Sequence, residues 1–392
     1  MERLTIEPML SSPSFEATVS ELAERVRQAA AQGTGLHIRG GGSKDFYGAP
    51  GSGDVLETTG LRGIVSYEPS ELVVTAGAGT PLRELEDLLA NEGQCLAFEP
   101  PHFARLLPSQ ATVGGMVATG LSGPARASVG GVRDYVLGLQ LINGRAEHLT
   151  FGGQVMKNVA GYDVSRLMVG AMGTLGLITQ VSLKVLPKSP AEATLVFELP
   201  QADALEHMHR WGGQPLPLNA SCWVHDPTDG AGRDLLFVRL RGAVAAVEAA
   251  CQKMLAELGG QRMGTAQAAA DWALCRDQAL PFFAAAQQDN MALWRLSLPQ
   301  TAPVLDLPWP QLVEWHGGLR WLWAPHDAAA RLHAEAQRVG GNASIFVAAC
   351  AYSTGATGHF DVKNRATTEI ARRLKTSFDP HGVFNPGTVH GA

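Results

Sequence analysis

The chain has no C-x-x-C pair. Its five cysteines, Cys95, Cys222, Cys251, Cys275 and Cys350, are scattered over 392 residues. That spacing excludes a cysteine-ligated iron–sulfur cluster and the common structural zinc sites, and it reads as isolated thiols in a reducing compartment. No uninterrupted apolar run reaches about 18 residues, so no segment is expected to span a bilayer. The opening MERLTIEPMLSSPSF has neither the basic start nor the apolar run of a signal peptide. Lys and Arg number 31 against 37 Asp and Glu and form no stripe, which argues against nucleic acid and anionic membrane as partners. Tryptophan is missing from the first 200 residues, and all eight lie from Trp211 onward.

Glycine is plentiful, and two stretches concentrate it. Residues 108–131, PSQATVGGMVATGLSGPARASVGG, are about a quarter glycine and carry one charged side chain, Arg126. A run this small-sided builds no core, but it brings backbone N–H groups close to a large anion. Arg39-Gly40-Gly41-Gly42-Ser43-Lys44 repeats the character about seventy residues earlier. One Gly-Gly alone is most often a plain tight turn. Two such loops suggest a dinucleotide held along its length.

Other nucleotide motifs fail. Val74 to Leu82 imitates a strand, G-x-G and helix start, but Leu82 stands where the third glycine of the Rossmann fingerprint would allow close packing. Gly42-Ser43-Lys44 has its last two residues in the wrong order for a nucleotide-hydrolysing P-loop.

Periodicity predicts a helix over 15–32, a strand over 36–38, and two strands within 64–76 about a Glu68-Pro69-Ser70 turn. Thr80 reads as the N-cap, with Pro81 at the first position, of a helix burying Leu82, Leu85, Leu88 and Leu89. Asn143-Gly144, between strands 135–142 and 145–151, is the strongest hairpin signal. A short helix over 162–169 and a strand over 175–186 follow, and Pro187 to Pro190 marks a boundary. Beyond it the order strand, helix, strand, strand, helix is that of a sheet with helices on one face. The region 1–188 is α+β.

RGGGS at 39–43, PSQATVGG at 108–115, GVRDYVLG at 131–138, GYDVSRLMVGAMGTLGLIT at 161–179 and FDPHGVFNPG at 378–387 carry a resemblance in their order. They look like the FAD domain of the vanillyl-alcohol oxidase and D-lactate dehydrogenase superfamily, and in detail like the FAD-binding E subunits of glycolate oxidases. The resemblance implies an α+β fold: a two-subdomain, PCMH-type FAD-binding domain over 1–188, a ferredoxin-like cap domain over 189–340, and a C-terminal segment, 341–392, that returns to the FAD domain.

By the same resemblance, Arg39, Gly40, Gly41, Gly42 and Ser43 hold the pyrophosphate. Pro108, Ser109, Ala111, Thr112, Gly114 and Gly115 wrap the diphosphate and flavin edge, with Thr119, Ser122, Gly123 and Gly173 also at the cofactor. Gly176, Leu177 and Ile178 offer backbone hydrogen bonds toward the nucleotide, and Asn385 approaches the ring system. Relatives that bond flavin through the first loop use a histidine where Ser43 stands, so FAD is expected to be noncovalent. His37, before the loop, reads as a packed strand residue.

The resemblance stops short of a substrate site. Relatives that oxidise D-2-hydroxy acids carry a late Gly-Glu-His-Gly that ligates a metal, and Thr357-Gly358-His359-Phe360 lacks its glutamate. Met172 stands where catalytic members tend to have Glu. His207 and His209 diverge on a helix, and His326 and His333 read as surface residues. No metal, acid–base pair or catalytic residue is assigned.

The function expected is that of an FAD-binding subunit of a multi-subunit glycolate oxidase or dehydrogenase, converting glycolate to glyoxylate. It relays electrons or supports assembly, while a catalytic flavin subunit oxidises the small 2-hydroxy acid and an iron–sulfur subunit joins them. The expected location is cytoplasmic, at the inner face of the membrane only through partners. The alternative is a self-sufficient FAD-dependent 2-hydroxy-acid oxidoreductase, with Arg295, Arg320 and nearby tryptophans on the substrate. Trp321-Leu322-Trp323 reads more simply as a strand with both rings packed on one face.

Overall fold

The computed structural model describes residues 13–48, 52–103, 110–153, 163–228, 230, 232–284, 290–348 and 365–388. They form two compact units. The first takes the described residues of Met1–Leu121, Gly131–Lys188 and Lys363–Ala392, and the second those of Ser122–Gly130 and Ser189–Val362.

The first unit holds a five-stranded antiparallel sheet ordered Ile64–Glu68, Val73–Gly77, Leu177–Lys184, Val136–Ile142, His148–Gly152. Val73–Gly77 is buried at every position. It runs antiparallel to both neighbours, so the G-x-G after it opens no parallel βαβ unit. The helix Leu82–Asn91 turns Leu82, Leu85 and Leu89 inward, but Thr80 is not its N-cap. Pro81 holds that position, and the Thr80 hydroxyl instead bonds both backbone groups of Gly63.

The Asn143-Gly144 hairpin is present, though not as a two-residue turn. Asn143 Oδ1 accepts from Arg145 N and Glu147 N, and the left-handed residue is Ala146 at φ 59°. Gly144 is small for another reason: a β-carbon there would overlap the Asp379 carboxylate. A separate parallel pair, Leu36–Arg39 with Asp54–Glu57, lies beside the helix Pro13–Gln32, whose Val19, Leu22, Val26 and Ala29 are buried. The chain returns to this unit in the helix Arg365–Phe378, and Phe384 bridges to Leu36.

The second unit is one antiparallel sheet ordered Gln261–Arg262, Ala191–Glu198, Arg233–Gly242, Leu218–Asp226, Gln311–Glu314, Leu319–Pro325, Met291–Ser297, Asn342–Val347. The first four strands, with helices Gln201–Gly212 and Val244–Leu258, make the ferredoxin-like βαββαβ pattern, closed by a core of Phe197, Trp211, Val238, Val247 and Met254. The last four repeat the strand order with one helix, Ala329–Arg338, whose Leu332 packs in one core with Trp294, Leu322 and Ile345. The loop 298–310 runs where the repeat would place its first helix. The ferredoxin-like pattern is therefore doubled. Asn342–Val347 is an edge strand of this sheet, so the second unit runs past residue 340, where the sequence put its end.

No helix among the described residues is long and apolar enough to cross a membrane.

Candidate cofactor site

The strand Leu36–Arg39 delivers the chain into Gly40-Gly41-Gly42-Ser43, where the pairing with Asp54–Glu57 ends. Past that point the backbone has no ladder partner. Among the described residues, the N–H groups of Gly40, Gly41, Gly42 and Ser43 donate to no protein acceptor. Four successive bare amides are what an anion-binding backbone nest requires, because a buried N–H left unmatched is costly.

The second glycine-rich segment lies directly against the first. A β-carbon on Gly40 would come 2.6 Å from Thr112 Oγ1, and one on Gly41 would overlap the Gln110 carbonyl. No side chain fits between the two loops. Ser43 is buried, with Lys44 Nζ 3.3 Å from its hydroxyl.

Arg39 is not a free charge. Its guanidinium lies 2.8 Å from Asp45 and 3.8 Å from Glu57, and it backs onto Gly42, which stands at φ 74°. Two carboxylates face the guanidinium, and its packing on Gly42 also shapes the loop.

The helix Val113–Thr119 has its leading amides engaged as well. Val113 N donates to Thr80 O, Gly114 N to Ala78 O and Gly115 N to the Thr112 hydroxyl, at 3.0, 2.7 and 3.3 Å. Gly114 and Gly115 therefore offer no free donor. Gly114 allows close packing, since its β-carbon would sit 2.8 Å from that of Ala78. The Thr119 hydroxyl bonds back to Gly115 O. Ala111 is buried, and its carbonyl accepts from Leu82 N.

From this helix the contacts continue into the turn ending at Gly173. Gly170 N donates to Val117 O and Met172 N to Ala118 O, with Met172 left-handed at φ 54°. Met172 O accepts from Asn385 Nδ2, and Asn385 Oδ1 accepts from Ile38 N, each at 2.7 Å. The circuit is closed: strand 36–39, loop 40–43, segment 110–119, turn 170–173, Asn385, and the strand again. Gly176 packs on Ile142 O, and Leu177 and Ile178 are buried strand residues paired with Ile142 and Leu141.

Ser122 and Gly123 belong to the second unit, where Gly123 O accepts from Trp315 Nε1 at 3.0 Å. Arg126 and Arg295 both lie over the Trp315 indole, at 4.8 and 5.2 Å from its centre. Trp315, His316 and Gly317 are all left-handed, at φ 52°, 57° and 98°. His316 bonds Ser128 and Ser221, and burial pulls its imidazole down to about 4. Arg320 is fully buried and donates to Gly317 O and Ala302 O, so it is not available to a substrate. Pro108, Ser109 and His359 lie outside the described residues.

Sequence reasoning missed Asp45 and Glu57 as partners of Arg39. It also missed Lys375 and Asp379, which brace Asn385, although their i, i+4 spacing was a signal.

Residues 15–163 match the model of the FAD binding domain family. Over 369 residues the chain is 43% identical to "Glycolate oxidase subunit GlcE" of Escherichia coli (strain K12), covering 94% of this chain and 96% of that protein. The chain belongs to the GlcE family.

Relatives of this GlcE-family chain extend further at partial coverage. It is 31% identical to a D-lactate dehydrogenase of Archaeoglobus fulgidus over 47% of this chain and 40% of that one. It is also 31% identical to "Glycolate oxidase subunit GlcD" of Bacillus subtilis (strain 168), over 39% of this chain and 31% of that one. Among solved structures, alkyldihydroxyacetonephosphate synthase shares the fold, with a TM-score of 0.64 at 16% identity over 94% of this chain and 75% of that one.

FAD is the cofactor of this family, and the GlcE-family chain fits it. Gly40 to Ser43 would hold its diphosphate on their bare amides, and the glycines leave no β-carbon between the loops. Bound FAD supplies two-electron redox chemistry, while the protein sets its position.

Proposed function

We propose that this chain is the FAD-binding subunit of a multi-subunit glycolate oxidase, holding FAD noncovalently while a partner flavin subunit oxidises glycolate to glyoxylate. The observation that carries the reading is the closed circuit bearing the Gly40 to Ser43 amides, with Met172 in its turn. Methionine has no proton to give or take at pH 7, so that turn supplies no acid or base. Ser43, with no imidazole, gives the flavin no histidine to bond in this loop. An iron–sulfur subunit completes the complex, since this chain has no cluster cysteines. Attachment to the inner face of the membrane runs through partners. The first unit, 1–121 and 131–188 with the C-terminal segment, is the FAD-binding domain, and the second unit is the cap.

The test is to purify the tagged chain with its untagged neighbours and compare flavin reduction by glycolate in the complex and in the isolated, FAD-loaded chain. Reduction by the complex alone supports the reading, and equal reduction by the isolated chain overturns it. A second reading, a self-sufficient 2-hydroxy-acid oxidoreductase, draws on Arg295. Its guanidinium lies over Trp315 and Trp321 with no carboxylate partner among the described residues, and its Nε is buried without an acceptor. Fast reduction of the isolated chain, lost in Arg295→Met, would favour that reading.

A further inference from the structure

The circuit carrying the Gly40 to Ser43 amides closes through one side chain from the far end of the sequence. Asn385 accepts from Ile38 N–H with one amide atom and donates to Met172 O with the other, both at 2.7 Å. Its own N–H donates to Leu36 O at 2.8 Å. Among the described residues no other hydrogen bond joins the strand Leu36–Arg39 to the turn 170–173. Asn385 is left-handed at φ 42°, a region that asparagine enters more readily than most residues. Gly173 makes the approach feasible, because a β-carbon there would sit 2.8 Å from Asn385 Nδ2.

The segment that presents Asn385 is itself fastened. Lys375 Nζ lies 2.7 Å from Asp379 and donates to Thr174 O and Phe384 O at 2.8 and 2.9 Å. The Asp379 carboxylate, fully buried, accepts from Val383 N and Phe384 N. Lys375 thus ties the residue before Asn385 to the end of the same turn that Asn385 holds. With both amide atoms engaged by backbone, Asn385 acts through the segments it joins, whereas the family resemblance puts it at the ring system.

We propose that Asn385 is a positioning residue for FAD, a latch that sets the spacing between the Gly40 to Ser43 amides and the Met172 turn, with Lys375 and Asp379 holding the latch. This rests on the chain being an FAD-binding protein. Its signature is loss of FAD affinity in protein that remains folded, with no requirement that Asn385 touch the flavin.

The experiment titrates FAD into the stripped full-length chain, read by flavin fluorescence, for wild type, Asn385→Ala, Asn385→Asp and Lys375→Met, at about pH 5 and about pH 8. In the Asn385→Asp variant, the new carboxyl when protonated reproduces both hydrogen bonds, accepting from Ile38 N and donating to Met172 O. Burial against a carbonyl raises such a carboxyl above its ordinary value of about 3.9. Ionised, it faces Met172 O with no proton to donate.

Asn385→Asp is therefore expected to bind FAD like wild type at the lower pH and about ten-fold more weakly at the higher, reversibly, relative to wild type measured in parallel. Asn385→Ala should lose about ten-fold at both, and Lys375→Met should weaken binding in the same direction. Melting of the stripped proteins reports the fraction folded, so a residue that serves stability alone would shift melting and leave FAD affinity unchanged. Should Asn385→Ala fail to fold, the pH response of Asn385→Asp decides. Affinities for both Asn385 variants within two-fold of wild type at both pH values overturn the proposal while leaving FAD binding intact. A wild type that binds no FAD overturns the cofactor reading, and the latch with it.

Discussion

Arg39 and Asp45 face each other at 2.8 Å, and the guanidinium they fix lies against the backbone of Gly42. If Arg39 served as a charge for the diphosphate, removing its counter-charge would tighten FAD binding. If it shapes the loop, the same change loosens it. Asp45→Asn is expected to weaken FAD by several-fold, and Arg39→Ala by about ten-fold, in fluorescence titrations. Stability should move little, because an ion pair this exposed contributes under about 1 kcal/mol.

Gly41 and Gly33 separate a clash from backbone strain. A β-carbon on Gly41 overlaps the Gln110 carbonyl, while one on Gly33 meets nothing within 4 Å although the residue stands at φ 67°. Gly41→Ala must push the two loops apart, and FAD affinity is expected to fall at least ten-fold. Gly33→Ala is expected to cost about 1 kcal/mol in denaturant unfolding, with FAD binding unchanged.

His316 sets an acid limb on stability. Its folded value is about 4, lowered by burial, against about 6.5 in an unfolded chain. Between those values the unfolded state binds the extra proton, so stability rises with pH through that window and is lost on acidification from about 6.5 toward about 4. The full effect is about 3 kcal/mol. His316→Gln should flatten that limb in melting temperature against pH. An unchanged slope would show that another group causes it.

FAD should dissociate. Acid-precipitated protein is expected to leave a colourless pellet under a yellow supernatant. A yellow pellet would reveal a covalent bond that Ser43 does not explain.

Much of the first unit was legible in its sequence, because glycine announces bare backbone and the leucine spacing of 82–89 announces a buried helix face. What stayed hidden depends on partners distant in sequence. Gly114 and Gly115 look like anion donors until Ala78 O and the Thr112 hydroxyl take their amides. Thr80 looks like a cap until Gly63, seventeen residues earlier, takes its hydroxyl. Arg39 reads as a lone charge in the sequence, and Asp45 and Glu57 face it in the fold. The doubling of the second unit left no repeat to read, because the helix that would mark it is replaced by the loop 298–310.

The two halves of that doubled sheet meet along a short seam, with Cys222 opposite Glu314 and Trp223 opposite Val313. Each half has its own helix cover, but Val313 of the second half packs into the core of the first, so the seam is joined by packing as well as by its ladder. Buried Glu314, on the second half, accepts from Trp321 Nε1 of its own half and from the Cys275 thiol of the helix Thr265–Arg276, which reaches it from outside that half. With the Cys275 thiol removed, the buried Glu314 carboxylate would lose the donor that reaches it from across the seam, a change expected to cost about 1–3 kcal/mol.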